Sequence, residues 1–426
     1  MATTAWRGLA PVRAVLDNGA VVIAQQSPTT PAVTIHASCA AGTVCDPPDR
    51  PGVAHFISRT IDRGTLHRSA DEIAEELDRR GVSLSIGVNR HAVSLVCTCL
   101  VEDLESILGI VADIVMHPVF PDEEVSTRRG EIVTLIRQDE DNPVAIATEG
   151  LLTDLYGPAH GYGRRPKGSV ESVEAIDRAA LQRFHSAWFR PRSLSLVMVG
   201  DVEPAHAISA ATAAFAEWEA APPPSLALEA VPPTSGRRIR VVPMMNKAQA
   251  DVAYGFTSIR RADPAYYAYW LMNNILGQYS LGGRLGDSIR ERQGMAYYVF
   301  SALDANVIPG PLTVRAGVSP DNVERAVASI DDELATLGSE GPTVAEIAES
   351  KQYLIGSLPR TLETNMGIAT FLQTAEFFGL GSDYDLRIPA LLQAVTRDEV
   401  HEAARRTLVP AQATVVIAGP YAGPVQ

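Results

Sequence analysis

Alternation of apolar and polar positions marks short strands in two separate parts of the chain, and each part opens on a pair of them. Ala20 to Gln26 and Ala32 to Cys39 form the first pair, Arg238 to Met244 and Ala250 to Phe256 the second. Successive side chains of a strand face opposite sides, so a period of two is its signature. Val82, Leu84, Ile86 and Val88 keep that period in the first part, and Cys97 and Cys99 hold alternate positions of a further strand. Tyr297 to Ala302 and Leu312 to Val318 take the same place in the second part. Long helices follow in both. Each part closes on one more strand, Leu194 to Gly200 after Trp188-Phe189-Arg190-Pro191 and Ala413 to Gly419 after Leu408-Val409-Pro410.

A shared order of elements predicts an internal duplication. Between the two parts lies 222–236, whose five prolines remove backbone donors and favour extended chain, as in a linker. The expected organisation is an N-terminal domain over 1–221 and a C-terminal domain over 237–426, and 426 residues suffice for two cores. Strands followed by runs of helices, without strict βαβ alternation, predict an α+β fold. Two homologous domains, each a mainly antiparallel sheet covered by helices on one face, satisfy that pattern. Local signals agree: Ser69-Ala70-Asp71-Glu72 is a capping box, Ile73 and Leu77 continue an apolar helical face, and Gly81 ends the helix.

Composition narrows the function classes. Apolar residues make up 46% and charged residues 20%, the balance of a globular chain, and the net charge of −14 disfavours nucleic acid. The four cysteines, Cys39, Cys45, Cys97 and Cys99, form no Cys-x-x-Cys zinc pattern. The start, Met-Ala-Thr-Thr-Ala-Trp-Arg, lacks the apolar run of a signal peptide, and no stretch approaches the roughly 18 apolar residues of a membrane span. A cytoplasmic location with reduced thiols and no membrane partner is expected.

Pro51 to Thr65 reads as a helix with a divided surface. Val53, Ile57 and Ile61 recur every four residues as a core stripe, while His55, Ser58, Arg59 and Asp62 fall together on the opposite side. That second face is where a helical zinc site would sit.

The frame Gly52-x-Ala54-His55, followed after eight residues by Gly64-Thr65, resembles the one around the inverted zinc motif His-x-x-Glu-His of the pitrilysin and mitochondrial processing peptidase family. The likeness extends through the capped helix and to His160-Gly161-Tyr162-Gly163 with Gly168. It implies that His55 matches the first zinc ligand, that Ser58 stands where the general base Glu belongs, and that Arg59 replaces the second His. The family's third ligand is a Glu on a later helix. Aligning on Asp141-Asn142-Pro143 puts Leu135 in its place, with Glu131 one helical turn away.

Catalytic zinc normally takes three protein ligands and keeps a fourth position for water, and of these positions only His55 could serve. A guanidinium about 5 Å from a divalent ion, at an effective dielectric of about 20, repels it by roughly 6 to 7 kcal/mol. Ser58 cannot act as a base near neutral pH without an activating partner. His55, Ser58, Arg59 and Leu135 therefore constitute a degenerate metal site, and no metal cofactor is expected in this chain.

In the second part, Asn273-Asn274-Ile275-Leu276-Gly277 leads through Gly282-Gly283-Arg284-Leu285 to Arg290-Glu291-Arg292-Gln293-Gly294-Met295-Ala296-Tyr297-Tyr298. This resembles the family's C-terminal signature, in which small bacterial members carry an Arg and a Tyr seven residues apart, matched here by Arg290 and Tyr297. Gly294 can end a helix in the left-handed conformation, so that Arg290 leaves from its last turn and Tyr297 from the following strand. An Arg can hold a peptide carbonyl and a phenol can donate to a developing oxyanion. Tyr298, on the other side of the strand, is the register alternative. Gly282 and Gly283 read as a loop at the substrate cleft, since no Gly-Lys-Ser/Thr ending makes it a phosphate loop.

Some bacterial members of that family divide the zinc half and the Arg/Tyr half between two subunits. The resemblance implies that this chain is the Arg/Tyr subunit, that a homologous partner carries the intact His-x-x-Glu-His and the zinc, and that the two close around an unfolded peptide. A non-catalytic scaffold or peptide-binding protein of the same fold is the alternative.

Overall fold

The computed structural model describes residues 8–233, 236–278 and 282–423. The N-terminal heptapeptide, Thr234-Ser235 of the proline-rich stretch and 279–281 of the glycine-rich loop lie outside the described residues. The first sheet has six strands: β1 (Val12–Val15), β2 (Val21–Gln26), β3 (Ala32–Cys39), β4 (Ser85–Val88), β5 (Val93–Leu100) and β6 (Leu194–Gly200). Its spatial order is β1-β2-β6-β3-β5-β4. The second has five: β7 (Arg238–Pro243), β8 (Ala250–Thr257), β9 (Ala296–Leu303), β10 (Pro311–Val318) and β11 (Thr414–Gly419), in the order β7-β11-β8-β10-β9.

Setting β1 aside, the two orders are the same, position by position. In each sheet the last strand of its half inserts beside the first and runs parallel to it, β6 with β2 and β11 with β7, while every other pair is antiparallel. A parallel pair needs a long crossover, which all the intervening helices of each half supply. The α+β class and the duplication are thus visible in the topology.

Cover is on both faces, not on one. Val197 and Val199 of β6 pack with Ile368, Ala369 and Leu372 of the helix Asn365–Phe377. Leu196 and Met198 alternate onto the opposite face and are equally buried. Central strands enclosed in this way tolerate few charges, which is why their sequences read as near-continuous apolar runs.

Five helices position the first half's chemistry: α1 (Val53–Thr60), α2 (Ala70–Arg79), α3 (Leu104–Met116), α4 (Asp122–Glu140) and α5 (Pro143–Tyr156). Helix α2 starts on the expected capping box, with Ser69 Oγ accepting from Glu72 N at 3.2 Å and Ser69 N donating to Glu72 Oε2 at 2.8 Å. Helix α5 lies against β8 and β11, and its counterpart Asn365–Phe377 lies against β3 and β6. Gly150 allows the first of these approaches, since a Cβ there would come within 2.4 Å of the Arg240 guanidinium and 3.2 Å of Val416. By compactness one unit comprises Met1–Ile136, Arg165–Ala227 and Leu358–Arg387, the other Arg137–Arg164, Leu228–Ser357 and Ile388–Gln426. Each unit therefore takes one helical segment from the other half of the sequence. No helix among the described residues is long and apolar enough to cross a membrane.

Candidate functional site

Helix α1 begins abruptly because two features fix its first turn. Gly52 has φ of 100°, and the Asp46 carboxylate accepts from Gly52 N at 2.7 Å and Ala54 N at 2.8 Å, satisfying donors that a helix start leaves open. Gly52 also passes so close to Gly168 that a Cβ on the latter would lie 2.3 Å from Pro51 O, which explains both motif glycines. The helix is shorter than the divided pattern predicts and ends at Thr60, with Ile61 as its cap. Its buried stripe is Val53, Ile57 and Ile61, joined by Phe56.

On the other face His55 is half-buried, Ser58 buried and Arg59 exposed. The Ser58 hydroxyl donates to His55 O at 2.7 Å, so its proton is spent on the helix's own backbone. Arg59 Nη2 reaches Glu131 Oε2 of α4 at 3.7 Å, and Arg128 Nη1 donates to Glu131 Oε1 at 2.5 Å. Arg129 lies 6.0 Å from the Phe56 ring centroid and donates to Ile176 O at 2.9 Å. Burial pushes the Asp62 carboxyl above its ordinary value, against the pull of Arg63, Arg128 and Arg59 nearby. Leu135, half-buried, stands one turn beyond Glu131 on α4.

These residues do not fit a zinc ion. His55 is the one aligned donor, and Arg59, one helical turn further on, adds a positive charge to the same face. Among the described residues, the group of His, Cys, Asp or Glu side chains close enough to share an ion is His67, Asp113 and His117, which excludes His55. The adjacent arginines at 128 and 129 were visible in the sequence, but their contacts with Glu131 and with the Phe56 ring were not readable there.

In the second unit, Gly286–Arg292 forms a π-helical segment. Gly294, with φ of 61°, turns the chain out of it: Gly294 N donates to Arg290 O at 3.0 Å and Met295 N to Ile289 O at 3.1 Å. Arg290 is exposed, with Nε 3.7 Å from Glu291 Oε1. Strand β9 follows at the edge of its sheet, paired only with β10. Gly317 pairs with Tyr298 and Val318 with Ala296, so Tyr297 is the extra residue of a bulge. Bulges re-aim side chains, and Tyr297 is 68% exposed.

Tyr298 takes the opposite course. Its hydroxyl donates to the buried Asp251 carboxylate, and burial together with that carboxylate holds the phenol above its ordinary value. Arg290 and Tyr297 leave the Gly294 turn separately, and neither is bonded to the other. Gly282 is exposed, whereas Gly283 is buried where a Cβ would come 2.7 Å from Gly277 Cα. His160 is a packing residue: it accepts from Tyr162 N at 3.0 Å and stacks on Tyr156 with ring centroids 5.4 Å apart.

Known proteins resemble this chain along most of its length. It is 26% identical to the uncharacterized zinc protease YmxG of Bacillus subtilis, over 82% of this chain and 83% of that one. An uncharacterized zinc protease of Streptomyces coelicolor is also 26% identical, over 93% and 87%. Among solved structures, the peptidase M16 inactive domain from Pseudomonas fluorescens superposes with a TM-score of 0.90 at 24% identity, over 98% of this chain and all of that one. The periplasmic protease PqqL of Escherichia coli gives a TM-score of 0.79 at 16% identity, over 96% of this chain but 47% of the longer protein. The family descriptions "Insulinase (Peptidase family M16)" and "Peptidase M16 inactive domain" match residues 21–161 and 175–354. Two sheets of the same strand order apart from β1, the frame around His55 and these matches lead to one assignment: the chain belongs to peptidase family M16, the insulinase family.

Proposed function

We propose that this chain is the substrate-binding subunit, without a catalytic zinc of its own, of a heterodimeric zinc peptidase that cleaves unfolded peptides. The observation that carries the reading is a contrast between two motifs. The former ligand position holds Arg59 in an ion pair with Glu131, whereas Tyr297 is lifted out of its strand register and left exposed. A chain that had become a pure scaffold has no use for the second feature.

In this reading Arg290 holds a backbone carbonyl of the peptide, and Tyr297 donates a hydrogen bond to the oxyanion that forms as water attacks. Gly282, exposed, leaves room beside the peptide, and Gly283 holds its loop by packing on Gly277. Zinc and the general base come from a homologous subunit with an intact His-x-x-Glu-His. Pairing of two such units has a parallel in PqqL, a chain about twice as long, whose first half this chain matches over 92% of that half's length. Four buried cysteines suit the reducing cytoplasm as the compartment.

Peptide binding tests the assignment. The isolated chain is expected to bind a labelled unfolded peptide, read by fluorescence anisotropy, without cutting it. Arg290→Ala weakens that binding about tenfold, the loss of one charge-assisted bond. Undiminished binding in Arg290→Ala removes Arg290 from the substrate site.

A further inference from the structure

Away from α1, three potential ligands converge at the end of α3. Asp113 lies in its last turn and His117 immediately follows, four residues on, which puts the two on one side of the helix. The turn that carries His67 is stitched to the same place: Leu66 N donates to His117 O at 3.0 Å and Val119 N to Gly64 O at 3.1 Å. Both histidine-bearing segments are thus fixed by backbone bonds before any side chain is considered.

The Asp113 side chain is 6% exposed and uses its two oxygens differently. Oδ2 accepts from Thr65 Oγ1 and from Arg68 Nη1, each at 2.7 Å. Oδ1 faces His67 Nδ1 at 2.7 Å and His117 Nδ1 at 3.4 Å. His117 Nδ1 is buried and makes no hydrogen bond. Burial raises the Asp113 carboxyl, but hydrogen bonds from His67, Thr65 and Arg68 outweigh it and keep the group ionised below its ordinary value.

We propose that Asp113 Oδ1, His67 Nδ1 and His117 Nδ1 form a binding site for a divalent transition-metal ion of the zinc class, separate from the family's degenerate site. The three atoms already lie within 4.8 Å of one another. Ligand atoms in tetrahedral zinc sites, with bonds of about 2.0 to 2.2 Å, stand about 3.3 Å apart, close to the 2.7 and 3.4 Å at which the two histidine nitrogens stand from Asp113 Oδ1. The ion takes the place of the proton shared by His67 and Asp113. Thr65 and Arg68 orient the carboxylate from behind, as outer partners of metal ligands do.

Arg68 lies on the far oxygen, Oδ2, and also faces Glu76 Oε1 at 3.4 Å, which offsets part of its charge. A surface groove of about 560 Å³, lined by Thr65, His67 and Glu72 but not by Asp113 or His117, opens beside the His67 ring. The ion would tie the turn after α1 to the end of α3.

The test uses the full chain and zinc or cobalt salts, by calorimetry and the visible absorption of cobalt. One ion per chain is expected, with a rise in melting temperature on adding zinc. His67→Ala, at an exposed position, weakens binding at least tenfold and abolishes the thermal shift; His117→Ala does the same, and His55→Ala does neither. Binding that survives both His67→Ala and His117→Ala overturns the proposal, as does a wild-type chain that binds no ion at millimolar zinc. An ion lost on His55→Ala instead counts against the metal-free reading of α1.

Discussion

Arg59 of α1 and Glu131 of α4 meet at 3.7 Å on the face where relatives of this fold are expected to hold zinc. Both side chains are well exposed, at 45% and 40%, so the pair contributes little stability, about 0 to 1 kcal/mol. Its effect is on charge: it sets a guanidinium beside the Glu131 carboxylate, one helical turn from His55. Arg59→Ala should therefore leave the melting temperature within about 2 °C and still bind no zinc at α1, because ligands remain missing.

Restoring the ligands is the stronger test. In a His67→Ala background, the triple change Ser58→Glu, Arg59→His and Leu135→Glu should gain one zinc per chain by elemental analysis, and adding His55→Ala should abolish it. A correctly folded triple variant without zinc means that the site's backbone geometry, and not only its side chains, has been lost.

The two adjacent tyrosines should separate stability from chemistry. Tyr298→Phe leaves the buried Asp251 with only the long contacts from Gln249 Nε2, at 3.4 and 3.5 Å, and should cost about 1 to 3 kcal/mol in chemical denaturation. Tyr297→Phe, on an exposed ring, should change stability by less than about 0.5 kcal/mol. In a reconstituted complex the order reverses: Tyr297→Phe should lower kcat about 100-fold to 1,000-fold with little change in KM, as removal of an oxyanion donor does. Equal turnover in the wild type and Tyr297→Phe assigns this subunit shape without chemistry.

Stability should fall on both sides of neutrality. Burial pushes the imidazoles of His36 and His185 down to about 4, so below about pH 6.5 the unfolded chain takes up protons that the folded one refuses. Melting temperature should decline from pH 6.5 to 4, and His36→Gln should make that decline shallower. Burial pushes the thiols of Cys39 and Cys97 up to about 12, so above pH 9 the unfolded chain loses protons first and stability falls again. A flat profile between pH 4 and 6.5 contradicts the buried, neutral state of these histidines.

Much of this was legible in the residues, because strands and capped helices are local. Period-two runs located β2, β3 and the closing strands, and Ser69 with Glu72 located the start of α2. The exchange of α5 and the helix Asn365–Phe377 between compact units was not legible, since an apolar helical face does not say which sheet it covers. The same holds for Tyr297. Its spacing from Arg290 was readable, but the bulge that exposes it depends on how Gly317 and Val318 pair across β10. His67, Asp113 and His117 escaped notice because one of the three comes from a turn nearly fifty residues earlier, with only the i, i+4 pair visible in sequence.

Titrating the two chains against each other tests the central claim most directly. With a homologous, zinc-bearing chain held constant, cleavage of an unfolded peptide should rise with added wild-type chain, saturate at a ratio of one to one, and vanish with chelator. This chain alone should cleave nothing. Cleavage by the isolated chain in the presence of chelator, or a zinc-bearing chain already fully active without it, contradicts the account.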